Sequence, residues 1–224
     1  MTVGLRDAGF TTVTAETAQT VALPDGSTAE LAAGSVLMIP EAGGRRDARQ
    51  ARLRSGAALF RIVRDEARPF AVETPNADVA VLGTVFTVRV EDAGTERVLT
   101  DVALLHGRVT LAVRGSDQAV ELAPGQSSRV VALIAPTSPV AADRGAALAF
   151  LPDVAVRDAP ARDVAERLAE RFGVAVEVDA ALAAERVSAR FRTADGPEAA
   201  VLALALALGG RVEAAGDTLR VVAD

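Results

Sequence analysis

The sequence predicts a multi-domain chain, all-β followed by α/β. An N-terminal β-sandwich or β-roll of short antiparallel strands precedes a small domain of βαβ-βαββ order. Three observations carry this expectation. From residue 10 to about 134, turn signals recur at short intervals between β-type runs, with almost no helical period. Residues 135–142 then mix prolines with small residues, the texture of a linker. Beyond them, strand-like runs alternate with two helical patterns. The domain boundaries that follow are 1–134 for the all-β domain, 135–149 for the linker and 150–224 for the α/β domain.

In the first region the turns fall at Pro24-Asp25-Gly26-Ser27, Ala33-Gly34-Ser35, Gly43-Gly44, Ser55-Gly56, Pro75-Asn76, Asp92-Ala93-Gly94, His106-Gly107, Arg114-Gly115 and Pro124-Gly125. Between them, residues 11–13, 59–63, 79–82, 85–90 and 109–113 read as strands. Residues 85–90 alternate: Phe86, Val88 and Val90 share one face, and Arg89 lies on the other. Residues 49–63 read as a strand pair with its turn near Ser55-Gly56.

In the second region, residues 154–156 form a short strand, and Pro160 sits in the first turn of a helix that Asp158 is placed to help cap. Ala161, Val164, Ala165, Leu168 and Phe172 recur at helical spacing, with charged residues on the other face, until Gly173 supplies a left-handed end. Residues 174–178 and 187–191 alternate as strands, and a last hairpin turns at Gly216-Asp217 between 211–213 and 219–222. Residues 202–208 alternate Leu and Ala like a strand. Helix is preferred, because both are strong helix formers and Asp195-Gly196-Pro197-Glu198 suits a helix start. Wound so, it is apolar all round, with Leu202 and Leu206 on one side and Leu204 and Leu208 on the other. The second apolar side then needs a cover from a neighbouring helix, the β domain or a partner.

Composition excludes several functions. The net charge is −6 and the 24 basic residues, all Arg, are scattered among 30 acids, so no concentrated basic face for nucleic acid is present. With no Cys there is neither a disulfide framework nor a thiolate metal site. His106 is the only histidine and falls in a turn, so an imidazole-rich metal centre cannot be assembled. Ser27 has no histidine base to activate it; Asp25-Gly26-Ser27 reads as a turn whose Asp and Ser satisfy local amides. Gly83-Thr84 is too sparse to cradle phosphate and suits a bulge or a close backbone approach. Asp65-Glu66 and Glu91-Asp92 read as solvated turn residues rather than calcium ligands. Arg45, Arg46, Arg49, Arg52 and Arg54 form the densest basic run, read as a solvated strand face or, alternatively, a face toward anionic lipid. No catalytic residue, cofactor or metal is expected. No apolar run reaches the length of a membrane span, and no leader-like start follows Met1.

Several segments, taken together and in order, resemble the FecR family: Leu23-Pro24-Asp25-Gly26-Ser27, Leu31-Ala32-Ala33-Gly34-Ser35, Arg68-Pro69-Phe70-Ala71-Val72-Glu73-Thr74, Val81-Leu82-Gly83-Thr84-Val85-Phe86-Thr87-Val88-Arg89, residues 102–109 and Leu122-Ala123-Pro124-Gly125-Gln126. The part from Phe150 onward is similar to the short domain at the front of secretins and TonB-dependent receptors. Phe150 stands where the family often carries Trp.

The resemblance implies a periplasmic, signal-receiving region of a single-pass anti-sigma regulator. Its sigma-binding segment and membrane helix would precede the residues seen here. The implied partner is the signalling domain of a TonB-dependent outer-membrane transducer. An extracytoplasmic-function sigma factor would be reached only through the preceding segment. The expected contact residues are Arg190 and Arg192 on one strand, and Leu219 and Val221 on the terminal strand, whose hairpin is taken to be a sheet edge. Two other readings are weighed beside it. One is a structural envelope module. The other is a glycan binder, which the absence of Trp and Tyr disfavours.

Overall fold

The computed structural model describes residues 9–41, 49–215 and 218–223. The turns expected at Gly43-Gly44 and Gly216-Asp217, and Arg45 and Arg46, lie outside these residues. The chain divides into two compact units, Met1–Ala142 and Asp143–Asp224, each described by itself below.

The described residues of the first unit hold thirteen strands: β1 Phe10–Thr14, β2 Gln19–Ala22, β3 Thr28–Leu31, β4 Val36–Pro40, β5 Gln50–Arg61, β6 Phe70–Glu73, β7 Ala77–Val81, β8 Val85–Glu91, β9 Leu99–His106, β10 Val109–Val113, β11 Ala119–Leu122, β12 Gln126–Val131 and β13 Val140–Ala141. They form two sheets that share β5. One runs β1-β4-β5-β6-β7-β10-β11, the other β2-β3-β5-β8-β9-β12-β13. The inward faces supply one core, including Leu37, Leu53, Phe70, Val72, Val79, Leu111, Phe60, Phe86, Val88, Val102 and Leu104. Period-two alternation explains why these residues line one face each. Phe60 and Phe86 are cross-strand partners on β5 and β8, and their rings stack at 5.4 Å between centroids. In a chain with so few aromatics this pair fills volume that Val and Ala cannot.

Residues 49–63 do not form a strand pair with a turn near Ser55-Gly56. β5 is one long strand that changes sheets there. Its first half pairs β4 and β6, and its second half pairs β3 and β8. Gly56 makes the bend with φ +87°, and the β4–β5 register shifts beside it. A Cβ at Gly56 would sit 2.4 Å from Ser35 Oγ, so the corner has no room for a side chain. Fully buried Ser35 seals it: its hydroxyl donates to the Ala57 carbonyl and accepts from the Ala57 N–H, each at 3.0 Å.

Among the described residues of this unit β5 and β6 pair in parallel, while its other ladders are antiparallel. One further reading is corrected. His106-Gly107 is not a hairpin turn, because β9 pairs β8 and β12 while β10 pairs β7 and β11. The chain instead crosses from one sheet to the other there, a step that local sequence cannot distinguish from a hairpin. Gly83 does make a close approach: a Cβ there would lie 2.5 Å from the Arg64 Cα.

The second unit runs α1 Arg144–Leu148, β14 Val154–Pro160, α2 Ala161–Phe172, β15 Ala175–Val178, β16 Arg186–Phe191, a 3-10 turn Thr193–Asp195, α3 Gly196–Ala207, β17 Gly210–Ala215 and β18 Thr218–Ala223. From β14 onward this is the predicted βαβ-βαββ order. Residues 135–149, read as a linker, hold β13, which pairs with β12, and α1, which Asp143 caps by accepting from the Ala146 N–H at 3.0 Å.

The predicted apolar face of α2 is buried in full, and Gly173 ends the helix with φ +64°. Asp158 does not cap α2. Its side chain pairs with Arg186, while the first helical N–H groups donate to the Glu185 and Ala183 carbonyls at 2.8 and 3.1 Å. The loop before β16 therefore does the capping, which sequence distance concealed.

Candidate partner-binding surface

The second unit carries two small sheets, β14-β16 and β15-β18-β17. In the three-stranded sheet β18 is central, parallel to β15 and antiparallel to β17. The terminal strand is therefore not an edge. The edges, among the described residues, belong to β15 and β17. Val221 is 0% exposed, held between Val178 and Val212, and Leu219 is half-buried between Val176 and Ala214. A hairpin following a helix looks terminal in sequence, but β15 inserts against its far side by a parallel pairing that only the tertiary fold reveals.

Arg190 and Arg192 are exposed. Arg190 stands opposite Ala155 in the two-stranded sheet, and Arg192 follows the strand, 3.6 Å from Asp195. The structure thus keeps these two on an accessible surface and places Leu219 and Val221 within the sheet's own packing. The four do not converge on one patch of a single sheet.

The open face of the three-stranded sheet is a charge ladder. Glu177, Arg220 and Glu213 are cross-strand neighbours, and Arg220 reaches Glu177 at 2.8 Å. On the opposite face, Val201, Leu204 and Ala205 of α3 are buried, but Leu202 and Leu206 stay 49% and 70% exposed. The second apolar side of this helix, which the sequence required to be covered, is thus not covered by the described residues of its own unit.

In the first unit, polar chemistry is spent on holding the sandwich together. Arg49 is 3% exposed and donates to Asp25 Oδ2 at 2.7 Å, to the Arg68 carbonyl at 2.7 Å and to the Val63 carbonyl at 3.0 Å. Asp25 also accepts from the Ser27 N–H and hydroxyl, and the Ser27 hydroxyl accepts from the Val63 N–H. The basic run is thus not one solvated face. Arg49 is a buried anchor, and Arg52 pairs with Glu73 at 2.8 Å and lies over the Phe10 ring; Arg54 alone of the described three is exposed.

A second buried clasp joins the two sheets. The Asn76 amide donates to the Val98 and Val130 carbonyls, both at 3.0 Å, and its oxygen accepts from Thr100, which in turn meets Thr74 at 2.8 Å. Sequence reasoning saw Pro75-Asn76 only as a turn. Its signal was an amide side chain directly before a strand of buried positions.

Among the described residues, three carboxylates depart from their ordinary behaviour. Hydrogen bonding from Arg186, then its charge, holds Asp158 below the usual aspartate value. A hydrogen bond from the Arg68 side chain, helped by the Ala67 N–H, likewise holds Asp65 below that value. Desolvation raises Asp101, against the opposing pull of Arg129 and Arg89 across the strands. His106 is exposed at the end of β9. Among the described residues, no group of three His, Cys, Asp or Glu is placed to hold a metal ion, and no helix is long and apolar enough to cross a membrane.

A two-sheet sandwich built on a shared bent strand, joined in sequence to a small βαβ-βαββ unit, defines a two-part module whose accessible features are sheet edges, charged strands and one apolar helix face. Residues 10–110, all within the first unit, match the family model described as FecR protein. Two crystal structures of a "putative anti-sigma factor" from Parabacteroides distasonis ATCC 8503 have a similar fold. One is 24% identical with a TM-score of 0.55 and the other 23% identical with 0.51. Each comparison covers 96% of this chain and 99% of that one. No curated protein sequence matches the chain.

Proposed function

We propose that the chain is the periplasmic, signal-receiving region of a transmembrane anti-sigma regulator. The carrying observation is the FecR match over residues 10–110, supported by the likeness of fold along 96% of the chain to a protein named as an anti-sigma factor. On this reading the second unit binds the signalling domain of a TonB-dependent outer-membrane transducer, and the regulator passes the signal to an extracytoplasmic-function sigma factor through a preceding segment. The free sheet edges of the second unit and exposed Arg190 and Arg192 suit this role, since backbone pairing at an edge supplies affinity and flanking side chains supply choice of partner.

The test is a calorimetric titration of the whole chain with the isolated signalling domain of the transducer encoded beside it. Saturable binding, weakened by reversing both charges in an Arg190→Glu/Arg192→Glu variant, is the expected result. Absence of binding between two folded proteins would sink the reading. Binding unchanged by the reversal would remove these two arginines from the contact.

A further inference from the structure

Two features of the second unit lie side by side and have no cover from that unit's own described residues. β17 has β18 on one side and no strand on the other among the described residues. Along α3, Ala199, Leu202, Ala203, Leu206 and Ala207 are exposed, at the i, i+3, i+4, i+7, i+8 spacing of a helix-packing seam. This seam contains no polar residue. α3 packs against both β17 and β18, whereas α2 packs against β14 and β15, so α3 occupies the β17 side of the sheet.

We propose that this surface binds a second copy of the same chain. The two β17 strands pair antiparallel about a two-fold axis through Val212 and perpendicular to the sheet, giving one continuous six-stranded sheet with both α3 helices on the same face.

The charges of β17 select both the occupant and the register. In this pairing, Arg211 of each copy stands directly opposite Glu213 of the other, because antiparallel partners sum to twice the axial residue. A two-fold through residue 211 or 213 would instead set Arg against Arg or Glu against Glu. The open-face ladder Glu177–Arg220–Glu213 then continues into the second copy's Arg211, so signs alternate across the junction.

The helices fit as well. Since α3 spans β17 and β18, its axis lies about one strand spacing from the two-fold, and the two α3 axes fall roughly two spacings apart, about 10 Å. That is close to the 8–10 Å or so at which helices pack. Ala199, Ala203 and Ala207 leave room for the approach, and Leu202 and Leu206 lose their exposure. Self-pairing also caps a bare sheet edge, which is otherwise open to indiscriminate strand addition.

The experiment is sedimentation velocity of the full chain over a micromolar concentration series, with far-UV circular dichroism melts to confirm that each variant is folded. The wild type is expected to pass from monomer to dimer. Arg211→Glu and Glu213→Arg each place like charges opposite one another twice per dimer and weaken association by about tenfold or more. The double variant Arg211→Glu/Glu213→Arg restores the reciprocal pairs and recovers the dimer. Leu206→Glu, remote from the edge, abolishes it. A wild type that stays monomeric throughout, or a double variant no better than either single one, overturns the proposal. Neither result decides transducer binding, for which the β15 edge stays free in the dimer and which is read separately by the titration with the signalling domain.

Discussion

Arg49 offers the sharpest test of how the first unit is held together. Its guanidinium is buried with Asp25, the two side chains being 2% and 6% exposed, and it donates to two backbone carbonyls besides. Replacing Arg49 with Met keeps much of the apolar stem but leaves a buried carboxylate without its countercharge. Breaking a buried pair in this way costs about 3–5 kcal/mol, whereas an exposed pair contributes roughly 0–1 kcal/mol. For a unit of this size, about 4 kcal/mol is on the order of a 10 °C fall in melting temperature. The chain has neither Trp nor Tyr, so the measurement is far-UV circular dichroism or calorimetry rather than intrinsic fluorescence. Because the cost arises from the orphaned charge, Asp25→Ala in the Arg49→Met background is expected to cost less than the two single effects summed, by more than about 1 kcal/mol. A loss under about 1 kcal/mol for Arg49→Met, or additive single variants, would show that water solvates the pair and that the reasoning is wrong.

Asn76→Ala removes the amide that binds the Val98 and Val130 carbonyls and the Thr100 hydroxyl, and is expected to destabilise by about 2–3 kcal/mol in the same melts; a cost below about 1 kcal/mol would mean that the two sheets need no such clasp. Gly56→Ala and Gly26→Ala separate sterics from backbone strain. Both glycines have φ near +86°, at +87° and +86°, but only Gly56 has atoms in the path of a Cβ. Gly26→Ala should therefore cost about 1 kcal/mol and Gly56→Ala clearly more; equal losses would contradict the crowding at the β5 bend. Asp101 and Asp158 predict opposite pH slopes. With its folded value raised, Asp101 favours the folded state below the ordinary aspartate value and loses that contribution as pH rises through the raised value, so Asp101→Asn flattens the slope and stabilises at neutral pH. Asp158, lowered by Arg186, contributes above the ordinary value and loses its contribution as pH falls through the lowered one, so Asp158→Asn removes part of the acid-side decline. Melting series between acid and neutral pH check both signs.

What the sequence determined by itself is local. Period-two alternation in residues 85–90 set the inward face of β8, because a strand has only two faces. The spacing from Ala161 to Phe172 set the buried face of α2, and Gly173 its end, since few other residues accept a left-handed backbone. The Ala-Leu run became α3 because helix propensity outweighed an alternation that fits either period. The ordered segments from Leu23 to Gln126 carried the family resemblance.

Tertiary structure decided whatever depends on which strand lies beside which. Gly56 reads as a turn in one dimension; only the presence of β3, β4, β6 and β8 around β5 makes it the point where one strand serves two sheets. His106-Gly107 reads as a hairpin until its flanking strands are found in different sheets. The same holds for charge. An arginine run has no sign of burial in it, and Arg49 is buried because Asp25, distant in sequence, is folded against it where no water competes for the pair. β18 looked like an edge until β15 closed on it in parallel, and the edge passed to β17. Side-chain period is a property of the backbone near each residue, whereas neighbours across a sheet are chosen by packing the whole chain, and partner surfaces belong to the second kind.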